Sequence, residues 1–201
     1  MSAFFNKWAP VFMRRLMADF HLGVDDAAAI IGNAGHESGG FQALRERKPM
    51  IAGSRGGYGI MQWTGPRRRA YEAYCKRNGF DPADMDANYK FLFVELKGPE
   101  GRVLPKLRAT KTLDAKVVVF CDGFLRPGIP HMESRKEWAR RALAAYGAAP
   151  ASSGTKAPAK PQTAPTAPPV AKKPAPKGAL GMFLAAIAAG VLVILKSKGI
   201  I

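Results

Sequence analysis

The chain is poor in the residues that build metal sites and disulfide frameworks. Its 201 residues include two cysteines, Cys75 and Cys121, and three histidines. The cysteines fall in no CxxC or Cys/His spacing, which excludes a zinc ribbon and a disulfide-rich mini-fold and leaves two reduced, half-buried thiols. His36-Glu37 begins an HExxH, but position 40 is Gly, so a zinc protease is excluded. The glycines at 56, 57 and 59 lead into no Gly-Lys-Ser/Thr, so no phosphate-binding loop is present. No metal and no cofactor is expected. The N-terminal MSAFFNKWAPVFMRRL has neither a clean apolar h-region nor a cleavage site, and no signal peptide is read there. Acids are scarce, 15 against 31 bases, and the net charge of +16 asks for an anionic partner: nucleic acid, anionic lipid or a wall polymer. No nucleic-acid recognition motif accompanies that charge, so no specific nucleic acid is expected.

What is present divides the chain. Hydrophobic residues at 47% and charged residues at 23% are ordinary for a globular protein and exclude wholesale disorder. Residues 148–177 are different: eight of the sixteen prolines and five lysines lie here, with no acid and no aromatic residue. Such a stretch cannot bury enough apolar surface to offset its ordering entropy, and it reads as a semi-extended flexible linker. Gly178–Leu195 follows as eighteen uncharged residues, about 27 Å as a helix. This predicts a transmembrane helix over 178–196, closed by Lys196 and Lys198 and a short tail, 197–201. Lysines number three just before the span and two after it, a faint preference for the N-terminal side being cytoplasmic.

Residues 1–147 form the globular domain, with 24 bases against 15 acids. Apolar spacing and caps predict helices over 7–20, 27–37 behind Asp25 and Asp26, 66–79 from Pro66 to a closing glycine, 85–97, 113–125 and 133–146. Residues 48–64 are glycine-rich, with room for a small hairpin at most. The fold class is mainly α, or α+β with minimal strand.

The chemistry is concentrated in 32–69. Glu37 shares a helix face with Ile30, Asn33 and Ala34, mostly apolar, at a helix C-terminus. Desolvation and the helix dipole should both raise its pKa, which suits a proton donor. Ser38-Gly39-Gly40 should end the helix abruptly and let backbone approach a ligand. A second loop presents Tyr58 among glycines and leads to Gln62 and Trp63. Aromatic faces and amides of this kind suit a sugar-binding cleft. His131 stands alone before a helix and reads as structural or exposed. Of Arg67, Arg68 and Arg69, two are expected on a solvated face, the third pairing with Glu46 or a ligand carboxylate.

Glu-Ser at 37–38 followed by Gly-Ile-Met-Gln at 59–62 resembles the lysozyme-like superfamily and is similar to goose-type lysozymes and lytic transglycosylases. The fuller pattern, GHESGGFQALRE through GGYGIMQWTGPRRRAYEAYC, resembles the phage tail lysozymes over about residues 20–146. The resemblance implies a lysozyme-like fold, Glu37 as catalytic acid, and Gly59, Met61 and Gln62 lining a saccharide cleft. Ser38, Phe41, Tyr58 and Trp63 complete the candidate substrate contacts. Glu46, nine residues after Glu37, is a candidate second catalytic acid; an ion pair with Arg45, Arg47 or a later arginine is the alternative. The Tyr-Asn-Ala-Gly segment of transglycosylases is absent, GIPHMESRKEWARRAL standing near its place, so hydrolysis and transglycosylation both stay open. The implied activity is cleavage of the β-1,4 bond between N-acetylmuramic acid and N-acetylglucosamine in peptidoglycan. The expected partners are glycan strands, a membrane through the C-terminal helix, and virion or lysis-machinery proteins. The membrane would be a virion's internal one or the host inner membrane. A non-catalytic, wall-binding virion protein is the alternative.

Overall fold

The computed structural model describes residues 2–46, 49 and 53–149, and in them the chain is mainly helical. The elements are α1 (Ala3–Phe20), α2 (Val24–Glu37), α3 (Gly65–Asn78), α4 (Met85–Lys97), a 3-10 turn (Pro99–Arg102), α5 (Val103–Ala109), α6 (Leu113–Phe120), a π-helical turn (Cys121–Leu125) and α7 (Met132–Ala148). Among the described residues strand is limited to two isolated bridges, Arg45 to Tyr58 and Tyr58 to Trp63. No helix among them is long and apolar enough to cross a membrane. The predicted linker at 148–177 lies outside the described residues apart from its first two positions, and the predicted span and tail at 178–201 lie wholly outside them.

Most predicted helices stand within a few residues of their observed limits. Helix α1 begins a turn earlier than its apolar spacing indicates because Ser2 caps it, its hydroxyl accepting from the Phe5 N–H at 3.3 Å. At α2 the cap is Gly23, and Asp26 reaches back to accept from the Gly23 N–H at 2.9 Å. Asp26 also pairs with the buried Lys116 of α6. The single helix expected over 113–125 departs from α geometry at Cys121. There the π turn inserts an extra residue, stacks Phe124 on Phe120 with centroids 4.7 Å apart, and ends at Arg126 in the left-handed region. The short helical stretch over 99–109 was not foreseen from the sequence.

Two aromatic groups run through a core otherwise filled mainly by Ala, Leu, Ile, Val and Met side chains. Phe5 and Phe12 of α1 pack on Phe41, while Trp63, Tyr71 and Phe91 form a second group joining the loop before α3 to α3 and α4. Helices α2 and α7 pack closely. The approach is possible because Gly32 lies against Ala139, where an added Cβ would stand 2.5 Å from Ala139 backbone atoms. Cys75 and Cys121 are both buried free thiols.

Candidate functional site

The site begins where α2 stops. Ser38 ends the helix with its hydroxyl turned inward, donating to Ala34 O at 2.6 Å and accepting from the Phe41 N–H at 3.1 Å. Gly39, Gly40 and Phe41 then all take positive φ, reversing the chain. The abrupt ending foreseen in the sequence is present, but the close approach at Gly40 is to protein, since a Cβ there would stand 2.6 Å from the Trp138 ring.

Glu37, on the last turn of α2, has a side chain 19% exposed. Its Oε1 accepts from Arg135 Nη2 at 2.7 Å, and Oε2 makes no hydrogen bond among the described residues. The expectation of an acid on a mostly apolar face is corrected here: α7 brings a buried guanidinium to that face. Arg135 also donates to Asn33 Oδ1 at 3.2 Å and to Pro130 O at 2.5 Å. His36 Nδ1 lies 2.8 Å from Ser134 Oγ, and its ring lies 5.6 Å from that of His131. Burial, the Arg135 charge and His131 hold the His36 pKa down to about 4, so this imidazole is neutral at pH 7. His131, read as lacking a partner, thus joins a group at the start of α7.

The second loop hangs from the end of α2. Ser38 O accepts from the Ala43 N–H at 2.8 Å, Ala43 O accepts from Gln62 Nε2 at 3.1 Å, and Leu44 O accepts from the Gly59 N–H at 2.7 Å. Gln62 Nε2 donates also to Gly59 O at 2.9 Å, and Gln62 itself has φ 46°. Tyr58 is half-buried between the Arg45 and Arg68 guanidinium groups, 5.5 and 5.2 Å from its ring centre, and burial pushes its phenol up.

The remaining candidates sit inside the protein. Ser38, Phe41, Met61 and Trp63 are exposed by 2% or less. Trp63 donates its indole N–H to Glu95 Oε2 at 2.6 Å and packs at a tilt against Tyr71 and edge-on against Phe91. Gly59, also buried, has φ 80°, and a Cβ there would stand 2.6 Å from Asn88 Oδ1. Glu46 Oε2 accepts from the Gly57 N–H at 2.7 Å, bracing the loop. Of the candidates, Glu37, Glu46, Tyr58 and Gln62 are those with partial exposure.

The arginines of α3 reverse their expected placement. Arg67 makes a bidentate pair with Glu95 at 2.7 and 2.8 Å and donates to Phe124 O at 3.0 Å. Arg68 is buried, pairs with Glu72 at 3.0 Å and donates to the carbonyls of Arg55 and Gly56. Arg69 alone lies on a solvated face. Those two carbonyls would otherwise be orphaned in an irregular loop, which explains why the guanidinium is drawn inward.

Sequence reasoning passed over Arg135, Asn33's contact with it, Asn88 and Glu95. A recognisable signal existed for the first: small residues at Gly32 and Gly35 on α2 and at Ala139 and Ala142 on α7 permit a close crossing. A family model described as phage tail lysozyme matches residues 7–146. No curated protein matches the chain.

Proposed function

The chain belongs to the phage tail lysozyme family, and we propose that it cleaves the β-1,4 bond between N-acetylmuramic acid and N-acetylglucosamine by general-acid catalysis from Glu37. The family itself implies a lysozyme-like, peptidoglycan-degrading protein that acts on the bacterial cell wall. The observation that carries the finer reading is the placing of Glu37: anchored through Oε1, its other oxygen without a partner among the described residues, at the helix end from which Ser38 and Ala43 carry the hydrogen bonds on to Gln62. Oε2 carries the proton to the bridging oxygen, the anomeric carbon–oxygen bond breaks, and an oxocarbenium-like state forms. Tyr58 and Gln62 supply a ring and an amide at the surface. Ser38, Phe41, Gly59, Met61 and Trp63 shape the loops from inside, and Glu46 holds the second loop through Gly57.

The linker at 148–177 and the span at 178–196 are part of the same proposal and rest on the sequence alone. A polyproline-like chain of that length reaches up to about 95 Å, enough to let a membrane-held catalytic head work on the wall.

The test is mass spectrometry of purified murein digested with the full chain and with Glu37→Gln. Soluble disaccharide-peptides that vanish in the variant are the expected result. Their ends then decide the outcome: reducing ends for hydrolysis, 1,6-anhydro ends for transglycosylation. A folded chain that releases no soluble product overturns the enzyme reading in favour of a wall-binding role.

A further inference from the structure

A guanidinium with 1% exposure needs acceptors for its donors and a counter-charge. Arg135 finds them on three sides: Glu37 Oε1 at 2.7 Å, Asn33 Oδ1 at 3.2 Å and Pro130 O at 2.5 Å. Asn33 is itself tied down, its amide donating to Ala29 O at 3.0 Å and to Val117 O at 3.1 Å. The fork is therefore fixed by α2, by α6 through Asn33, and by the segment entering α7. That segment is constrained too. It begins at Arg126 and ends at His131, both with positive φ, and contains Pro127 and Pro130.

We infer that Arg135 is a positioning residue for Glu37. It holds Oε1 so that Oε2 is the oxygen presented to the bond being cleaved. It also faces the carboxylate that remains when the proton has gone. In that step the proton passes from Oε2 to the bridging oxygen, and the electron pair of the broken carbon–oxygen bond goes to the same oxygen. The negative charge left on Glu37 meets a cation already in place, so nothing has to reorganise to stabilise it. The inference rests on the reading of Glu37 as the acid. A purely structural Arg135 would join α2 to α7 and leave the chemistry of Glu37 untouched.

The titratable and charged groups near Glu37 are Arg135 of α7, in contact with it, Cys121 from the π turn, and His36 from its own helix, which itself faces His131. Removing Arg135 alone among them deletes the cation in contact with the carboxylate. The experiment measures initial rates of product release from purified murein, across pH and murein concentration. It compares the full chain with Arg135→Gln, Arg135→Lys and Glu37→Gln, each checked for folding by circular dichroism. Arg135→Lys keeps the charge but loses the three-way fork. Its kcat is expected to fall about 10- to 100-fold with KM little changed. Arg135→Gln removes the charge as well, and its kcat is expected to fall at least as far, again with KM little changed. A folded Arg135→Gln with the parental kcat overturns the inference. Should Arg135→Gln not fold, a parental kcat in Arg135→Lys does the same. Activity surviving in Glu37→Gln overturns the acid reading and this inference with it, a separate result from the other two.

Discussion

Gly32→Ala isolates the contact that brings the two halves of the acid's environment together. An ideal Cβ on Gly32 would stand 2.5 Å from the Cα, Cβ and N of Ala139. Carbon atoms rest about 3.5–4.0 Å apart, so α7 would have to retreat by about 1 Å. The obstacle is backbone in the middle of a helix, and no rotamer change relieves it. Over-packing costs about 1–3 kcal/mol, and a rigid obstacle belongs at the upper end of that range. Replacing glycine by alanine inside a helix returns about 1 kcal/mol of conformational entropy. The net loss is then about 1–2 kcal/mol, or about 3–6 °C in Tm for a domain of this size. Thermal melts followed by circular dichroism measure it. Gly147→Ala is the matched control: Gly147 is exposed near the end of α7 and an added Cβ meets nothing within 4 Å, so the same change should leave Tm level or raise it slightly. The retreat of α7 also draws Arg135 away from Glu37, so murein cleavage by Gly32→Ala should fall even well below its melting temperature. A Gly32→Ala protein that melts at or above the parent would refute the packing argument.

Two further predictions follow from the same site. The unfolded His36 imidazole titrates at 6.5 and the folded one at about 4, so between these values the unfolded state binds more protons and stability falls as pH drops from 6.5 toward 4. Discounted for partial solvent exposure, this is worth about 1–2 kcal/mol; Tm against pH for the parent and His36→Gln measures it, and parallel curves would remove the basis for it. Glu46→Gln keeps an oxygen for the Gly57 N–H and should retain murein-cleaving activity within about threefold, whereas Glu46→Ala should lose about 1–2 kcal/mol of stability in urea titration. A loss in Glu46→Gln as deep as that in Glu37→Gln would instead make Glu46 part of the chemistry.

How much could be read from the sequence depended on how far apart the cooperating residues lie. Helices α3, α4 and α7 were legible to within one or two residues at each end because their punctuation is local: Pro66 and Gly79 for α3, Asp84 as the N-cap of α4, and a regular apolar repeat in α7. The mainly helical class with minimal strand was equally legible, since 48–64 lacks the alternation a ladder needs. The π turn was not, because the apolar positions of 117–125, Val117 to Cys121 and then Phe124 and Leu125, fit an α-helix as well, and the extra residue answers to Phe120–Phe124 stacking and Arg67. Glu37 and the Gly59–Gln62 loop were found through short-range motifs. The partner of Glu37 lies 98 residues further on and becomes adjacent only when α2 and α7 cross. The burial of Trp63 was hidden for a similar reason. An indole beside a glycine-rich loop reads as a sugar platform until Glu95, 32 residues away, is found accepting its N–H.

The loop that carries Tyr58 and Gln62 shows what such a motif encodes. An irregular segment with only isolated bridges must find partners for its backbone groups outside a ladder. Here they come from side chains of α3 and α4. Asn88, fully buried, accepts from the Ile60 N–H at 2.9 Å, while its amide holds Pro82 O and Asp84 O. Arg68 takes Gly56 O at 3.0 Å, and Trp63 is fastened through Glu95 to Arg67. Gly59 is required because its left-handed φ and its neighbours Trp63 and Asn88 leave no space for a side chain. Even Gln62 spends its amide N–H groups on Ala43 O and Gly59 O, so what it can offer a sugar is its carbonyl oxygen. A run of residues shared with sugar-cleaving proteins therefore specifies first a loop conformation, written jointly with helices that follow it in the chain. Only two of its members, Tyr58 and Gln62, remain partly exposed. The helical half of the site is built on the opposite principle: Glu37 and Arg135 owe their contact to the absence of side-chain bulk at Gly32, and the Arg135 charge is buried because two helices come that close.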